Sequence, residues 1–169
     1  DGCQHAANFN GYMDALDNGI TNGYDWYPIF GGRQDYVNYF HRGREATLEI
    51  SNTKTAPPEQ FADLWSFNRG PLLEFIQQSN YGLRGTVTDS LTGEPITAFI
   101  SVPGHDELNS EVFSKLPTGR YHRYLKSGTY TVVYSAPGYQ PKVKTVQVWD
   151  DQTNYLHVRL APFISSVDN

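Results

Sequence analysis

In the second half of the chain, hydrophobic and polar positions alternate in a way that predicts short β-strands. Apolar and polar residues take turns through residues 129–135 and again through residues 156–160, as in strands that have one face in a core. Turn residues such as Pro137-Gly138 separate these runs. The predicted strands cover residues 83–87, 96–102, 120–125, 129–135, 142–148 and 156–160. Their number and spacing predict an all-β antiparallel sandwich.

The first half shows the same alternation only once, over residues 45–50. Ala46, Leu48 and Ile50 share one face of the predicted strand, and the polar residues share the other. One strand and one helical region in about 80 residues bury little apolar surface. The strand therefore needs a sheet supplied from elsewhere, and this indicates a missing N-terminal part.

A helical region is predicted to begin at Pro57, because proline suits a first turn and the following Glu59 suits its positive end. Gly70-Pro71 are expected to break or kink this region. Asn68 is then a candidate cap for its second part. A polar turn around residues 79–82 marks the predicted boundary between the two halves.

Composition narrows the possible functions. The chain has 13 basic and 18 acidic residues, a net charge of −5, so binding to nucleic acid is not expected. No run of 18 apolar residues is present, so no membrane span is expected. The single cysteine, Cys3, excludes an intrachain disulfide and a cysteine-based zinc site. Four tyrosines of the second half are predicted to pack in a core or domain interface: Tyr121, Tyr124, Tyr130 and Tyr134.

Glu49 is the candidate catalytic residue on chemical grounds. It is a carboxylate within an apolar strand, and a partly buried carboxylate with a raised pKa can act as a general base. The alternative is a solvated glutamate on an edge strand, which is the commoner situation for a carboxylate. The pattern alone leaves both interpretations open.

Several short motifs follow one another in a fixed order. They are GITNG at 19–23, WY at 26–27, GG at 31–32, QDY at 34–36 and EATLE at 45–49. Together they resemble the zinc metallocarboxypeptidases of the regulatory type, which includes carboxypeptidases N, E and D. The resemblance continues into the second half through GTV at 85–87, GTYTV at 128–132 and APGY at 136–139.

The resemblance implies a domain organisation. Residues 1–80 are expected to be the α/β C-terminal piece of a carboxypeptidase catalytic domain. Residues 81–163 are expected to form a transthyretin-like sandwich, and residues 164–169 a tail. A secreted or periplasmic location is implied in the same way.

Site residues are implied by position within the motifs. Glu49 falls where the family has the general base that deprotonates a zinc-bound water and then protonates the leaving amine. Tyr27 falls on the tyrosine that closes over the terminal carboxylate of the substrate. Gln34 falls in the pocket for the C-terminal side chain, where a polar residue resembles the branch that prefers Lys or Arg. The implied substrate is the C-terminus of a peptide or protein.

The zinc ligands of the family, His-x-x-Glu and a later His, lie upstream of the matching region. This chain contains no His-x-x-Glu, and its five histidines are scattered. Zinc is therefore expected in a full-length parent and not in this chain alone, which is expected to be inactive without the missing N-terminal part. A second hypothesis is a noncatalytic binding or structural module built on the same two folds.

Overall fold

The structure is a computed structural model and describes residues 12–13 and 19–163. The chain forms two compact units, Asp1–Ser79 and Asn80–Asn169. Cys3 and the predicted tail 164–169 lie outside the described residues. Among the helices described, none is long and apolar enough to span a bilayer.

The second unit consists of eight described strands in two sheets. The strands are β1 (Gly82–Asp89), β2 (Phe99–Ser101), β3 (Val112–Phe113), β4 (Arg120–Arg123), β5 (Gly128–Ser135), β6 (Lys142–Val148), β7 (Thr153–Tyr155) and β8 (Val158–Leu160). One sheet has the order β4-β1-β7, with β8 also paired to β1. The other has the order β3-β2-β5-β6. The all-β prediction for this half is confirmed.

The antiparallel prediction is correct for the second sheet and for β1 with β4. It is wrong for β7 and β8, which both run parallel to β1. Parallel neighbours need a long connection, and here the whole domain lies between β1 and its last two strands. Alternation within a strand indicates which face is buried and contains no information about the direction of its neighbour.

The predicted strand bounds match β6 at both ends. The predicted run 96–102 shortens to β2, because Ile96 bonds instead to β1 through its N–H and the carbonyl of Val87 (3.1 Å). The last predicted strand, 156–160, contains β8 but begins two residues early, and β7, which lies before it, was not predicted. The two-residue β3 is too short to show alternation.

Thirteen buried hydrophobic residues form one core, and all of them lie between Leu83 and Leu160. The fully buried members include Leu83, Val87, Ile100, Val132, Tyr134, Val148 and Leu160. They come from both sheets, as expected where the inner faces of a sandwich meet. Tyr121 and Tyr134 belong to this core and Tyr130 packs against it, so their predicted packing role is confirmed.

Tyr121 and Tyr134 form a buried chain of hydrogen bonds. The Tyr121 hydroxyl donates to the carbonyl of Leu156 (2.7 Å) and lies 2.8 Å from the Tyr134 hydroxyl. Because a hydroxyl has one hydrogen, Tyr134 is the donor in the second bond. Burial raises the pKa of Tyr134 to about 12 and raises the pKa of Tyr121 further.

Asp89 ends β1 and fixes the turn that follows. Its carboxylate accepts the N–H groups of Thr92 (3.1 Å) and Leu91 (2.6 Å), and the Tyr139 hydroxyl (2.9 Å). These donors favour the charged form and lower the pKa of Asp89. A second carboxylate, that of the largely buried Asp106, forms an ion pair with the buried Arg123.

The first unit has three described α-helices. They are α1 (Gly23–Trp26), α2 (Arg33–Phe40) and α3 (Phe61–Gln78), with a 3₁₀ turn at Pro58–Gln60 before α3. The predicted break at Gly70-Pro71 is wrong, because α3 continues through Pro71. Proline removes a single backbone donor, and the rest of the helix remains bonded. Asn68 is not a cap, since its side-chain amide donates to the carbonyl of Leu64 (2.8 Å).

The predicted strand at 45–50 is not formed, because residues 42–50 belong to neither helix nor strand. A strand is defined by bonds to a neighbour, and no strand is described in Asp1–Ser79 that could supply them. The α/β character predicted for residues 1–80 is therefore not observed in the described part. Leu48 and Ile50 are exposed, with 59% and 43% of their surface accessible.

Between residues 19 and 79 no described residue is buried. Several large apolar side chains are more than half exposed, among them Phe30, Phe61, Trp65, Leu73 and Ile76. The described part of the first unit therefore has no hydrophobic core, although it has regular helices.

Candidate functional site

The predicted substrate-binding tyrosine, Tyr27, lies just after α1. Its N–H donates to the carbonyl of Gly23 (3.0 Å), and its ring packs edge-on against Trp26. The side chain is half exposed. The chain then reverses at Gly31, whose φ of 72° is in the region that favours glycine. Tyr27 is thus accessible in a loop with a sharp turn four residues further on.

Side chains of α2 form hydrogen bonds with the segment at residues 45–50 that was predicted to be a strand, and two of them bond Glu45. The Asn38 amide accepts the N–H of Glu45 (2.9 Å) and donates to its carbonyl (3.0 Å). Arg33 bonds the Glu45 carboxylate through Nε (2.9 Å) and Nη2 (2.8 Å). Asn38 therefore bonds both backbone groups of Glu45, as a neighbouring strand would.

Gln34, the predicted pocket residue, is also bonded to this segment. Its Oε1 accepts the Thr47 hydroxyl at 2.8 Å. This contact places Gln34 beside the segment that contains Glu49, two residues beyond Thr47. No hydrogen bond or ring contact between described residues joins Tyr27 to Gln34 or Glu49.

Glu49 is exposed, and no described residue donates a hydrogen bond to its carboxylate. The partly buried position expected for it depends on the strand at 45–50, which is absent. Its role as a general base therefore stays a prediction, as do those of Tyr27 and Gln34.

Zinc requires three protein ligands in a catalytic site. Within the described ranges 12–13 and 19–163, no three His, Cys, Asp or Glu side chains come together in a way that could hold a metal ion. The described residues therefore do not fit a zinc site.

Sequence reasoning missed Asn38 and Arg33, which position the segment at residues 45–47. The sequence does place three polar side chains, Arg33, Gln34 and Asn38, within the predicted C-terminal piece just before this segment, and all three belong to the eight-residue α2. Three polar groups on one short helix can bond a neighbouring backbone. Without the fold, nothing indicates that residues 45–47 are that neighbour.

Residues 82–161 match a known family, the carboxypeptidase regulatory-like domain. This range runs from the first residue of β1 to just beyond β8. The family match thus includes every strand of the sandwich.

Similarity to curated proteins extends over nearly the whole chain. The carboxypeptidase N catalytic chain of Homo sapiens is 37% identical over 96% of this chain and 35% of its own length. Carboxypeptidase D of Rattus norvegicus is 34% identical over 91% of this chain and 11% of its own length. Carboxypeptidase SOL1 of Arabidopsis thaliana is 38% identical over 79% of this chain and 27% of its own length.

The sandwich is therefore a carboxypeptidase regulatory-like domain, preceded by a segment that also resembles carboxypeptidases. Over most of its length the chain is similar to carboxypeptidases of the regulatory type. The predicted family is confirmed. The chain spans about a third of the length of the human carboxypeptidase N catalytic chain.

Proposed function

We propose that this chain is the C-terminal part of a zinc-dependent carboxypeptidase that removes the last residue of peptides or proteins. Residues 1–80 would complete the catalytic domain, and residues 81–163 would be its transthyretin-like accessory domain. A preference for C-terminal Lys or Arg and a secreted or periplasmic location belong to the same proposal.

The observation that carries this proposal is the exposed apolar surface of a segment whose relatives are carboxypeptidases. No described residue between 19 and 79 is buried, while side chains such as Trp65 and Leu73 are 60% exposed. A missing N-terminal part of the catalytic domain could cover this surface and supply the neighbour that residues 45–50 need. Residues 19–79 would gain a core in that assembly.

In the proposed enzyme the metal would be bound by the N-terminal part. The residues of this chain would bind the substrate and transfer protons. Glu49 would accept a proton from the attacking water and return it to the leaving amine. The Tyr27 hydroxyl would donate a hydrogen bond to the substrate carboxylate, and Gln34 would contact its C-terminal side chain.

The test uses the full-length enzyme and two substitutions. We expect Glu49→Gln to lower kcat by about 10² to 10⁴-fold, because an amide cannot accept the proton. We expect KM and the bound zinc to change little. Tyr27→Phe should be milder, because it removes one hydrogen bond to a charged group, about 1–3 kcal/mol. Release of C-terminal Lys or Arg from a short peptide measures both effects.

Glu45→Gln is the matched control, since Glu45 lies in the same segment but bonds Arg33. It should lower kcat less than Glu49→Gln does. An active Glu49→Gln enzyme, or a Tyr27→Phe enzyme that is equally damaged, would contradict the residue roles. A full-length protein that neither binds zinc nor cleaves peptides would favour the noncatalytic module instead.

A further inference from the structure

A groove of about 510 Å³ opens on the surface of the sandwich. Its lining includes two threonines, two lysines, a histidine and an arginine: Thr86, Thr88, Lys142, Lys144, His157 and Arg159. No acidic side chain lines it. The groove lies entirely within the second unit, so its geometry does not depend on the first.

The floor of the groove is the outer face of the first sheet. Thr86 and Thr88 alternate along β1 with the buried Val87, so their side chains point away from the core. Arg159 alternates in the same way along β8. Thr88 and Arg159 are direct partners in the parallel register, and their side chains therefore lie side by side on the outer face.

The second sheet contributes two lysines from β6. Lys142 and Lys144 are two residues apart and share one face of the strand. The Lys142 ammonium donates to the carbonyl of Arg159 (3.1 Å), which joins β6 to β8. Thr86 and His157 share a hydrogen bond of 2.9 Å. The groove is thus built by contacts across both sheets.

Three cations meet here without counter-charges. Neither described ion pair, Arg33–Glu45 or Arg123–Asp106, involves a residue of the groove. Lys142, Lys144 and Arg159 form no ion pair with any residue in the described part of the chain. Clustered like charges raise the local positive potential and attract anions, and they do so in a chain whose net charge is −5.

We propose that this groove binds a sulfated polysaccharide. Sulfate groups accept bidentate hydrogen bonds from arginine and attract lysine, and the threonine hydroxyls can bond sugar hydroxyls. Val158 is the only apolar residue in the lining, and it is buried.

Binding of the full chain to heparin, measured by calorimetry at about 0.1 M salt, tests the proposal. The test variant is Lys144→Gln with Arg159→Gln, which leaves the structural Lys142 intact. We expect affinity to fall about tenfold and the salt dependence of binding to become shallower, because two fewer counterions are displaced. The control, Lys115→Gln with Arg120→Gln, removes the same charge from exposed positions outside the groove and should retain affinity.

Charge-preserving variants separate loss of the groove from loss of the fold. Lys144→Arg with Arg159→Lys should retain heparin binding. An undetectable affinity for heparin would overturn the proposal, as would equal losses in the test and control variants. Equal binding of unsulfated hyaluronan, duplex DNA or anionic vesicles, with the same dependence on Lys144 and Arg159, would also overturn it.

Discussion

At the scale of single residues, the buried tyrosine pair shows how hydrogen-bond direction determines energetic importance. Tyr134 donates to Tyr121, and Tyr121 donates to the carbonyl of Leu156. Tyr121 is therefore both acceptor and donor, whereas Tyr134 only donates within this chain of bonds. Removal of the Tyr121 hydroxyl therefore leaves two groups without a partner, whereas removal of the Tyr134 hydroxyl leaves one.

We expect Tyr121→Phe to destabilise the sandwich more than Tyr134→Phe. Removing the Tyr134 hydroxyl loses one hydrogen bond, about 0.5–1.5 kcal/mol. Removing the Tyr121 hydroxyl leaves the Leu156 carbonyl and the Tyr134 hydroxyl without their partners, at about 1–3 kcal/mol. Urea unfolding of the full chain, followed by tryptophan fluorescence, measures both free energies.

The double variant provides the control for this ordering. Its loss of stability should be smaller than the sum of the two single losses, because both changes act on one hydrogen-bond chain. A larger effect of Tyr134→Phe than of Tyr121→Phe would contradict this ordering.

The site residues show the limit of single-residue reasoning. The sequence places Tyr27, Gln34 and Glu49 in motif order, and the structure brings only Gln34 into contact with the segment that contains Glu49. The environment of Glu49 depends on a neighbouring strand. A carboxylate acquires a shifted pKa from its surroundings, and none of those surroundings is encoded next to it in the sequence.

At the scale of elements, β1 organises the sandwich, because it pairs with β4, β7 and β8. The change of partner from β7 to β8 occurs at Leu156, whose N–H donates to the carbonyl of Arg84 (2.7 Å). At Gly85 a Cβ atom would lie 1.9 Å from the Leu156 carbonyl oxygen. The absence of a side chain at this position is what allows β1 to hold both strands.

We therefore expect Gly85→Ala to destabilise the sandwich by about 1–3 kcal/mol or more. The added methyl group meets backbone atoms, which cannot rotate away as a flexible side chain could. Thermal unfolding measures the loss, and faster hydrogen exchange at the Leu156 N–H would locate it. Gly70→Ala is the control, since a Cβ there has no atom within 4 Å and should not lower the stability of the sandwich. Equal stability of Gly85→Ala and the unsubstituted chain would contradict this account.

How much of each element could be predicted depended on where its partners lie. The bounds of β6 were predicted correctly because the strand follows the Pro137-Gly138 turn and more than half of its residues are the strand-favouring Val and Thr. The last predicted strand contained β8, whereas β7 was not predicted, because its three residues are too few to show alternation. The strand at 45–50 was predicted from a sound pattern and did not form, because no described strand in its unit provides the pairing.

At the scale of the whole molecule, the two units differ in what holds them together. Among the described residues, all thirteen buried hydrophobic ones lie in the second unit. The described part of the first has helices and side-chain hydrogen bonds but no buried residue. Stability comes mainly from burial of apolar surface, so the second unit should resist unfolding far better than the first.

Limited trypsin digestion of the native chain should therefore cut first at Arg44 and Lys54. Both are exposed and lie outside helices and strands, in the unit whose described residues include no buried one, and proteases act most readily at such sites. Lys126 is also exposed in a loop, but this short loop joins the core strands β4 and β5 and should be cut more slowly. Arg123 is buried and Arg159 lies within β8, so both sites should be cut slowly. Mass spectrometry should detect a fragment that retains residues 80–163. Early loss of that fragment, with residues 1–79 intact, would contradict the assignment of the core.

The basic groove also belongs to this scale and could not be predicted from sequence. Its cations come from β6 and β8, and its hydroxyls from β1, far away along the chain. The groove cations do not stand together in one window of the sequence, and the net charge is negative. The register of β1 with β8 and the reach of the β6 lysines create the site.

The parallel pairing of β1 with the last two strands has a consequence for synthesis on the ribosome. Roughly 70 residues separate the end of β1 from the start of β8. A ribosome that adds about 5–20 residues per second needs about 4–14 seconds to translate them. During that interval β4 can pair with one edge of β1, while the other edge has no neighbour. An unpaired strand edge can pair with another chain and cause aggregation. The nascent protein is therefore most in need of a chaperone during this interval.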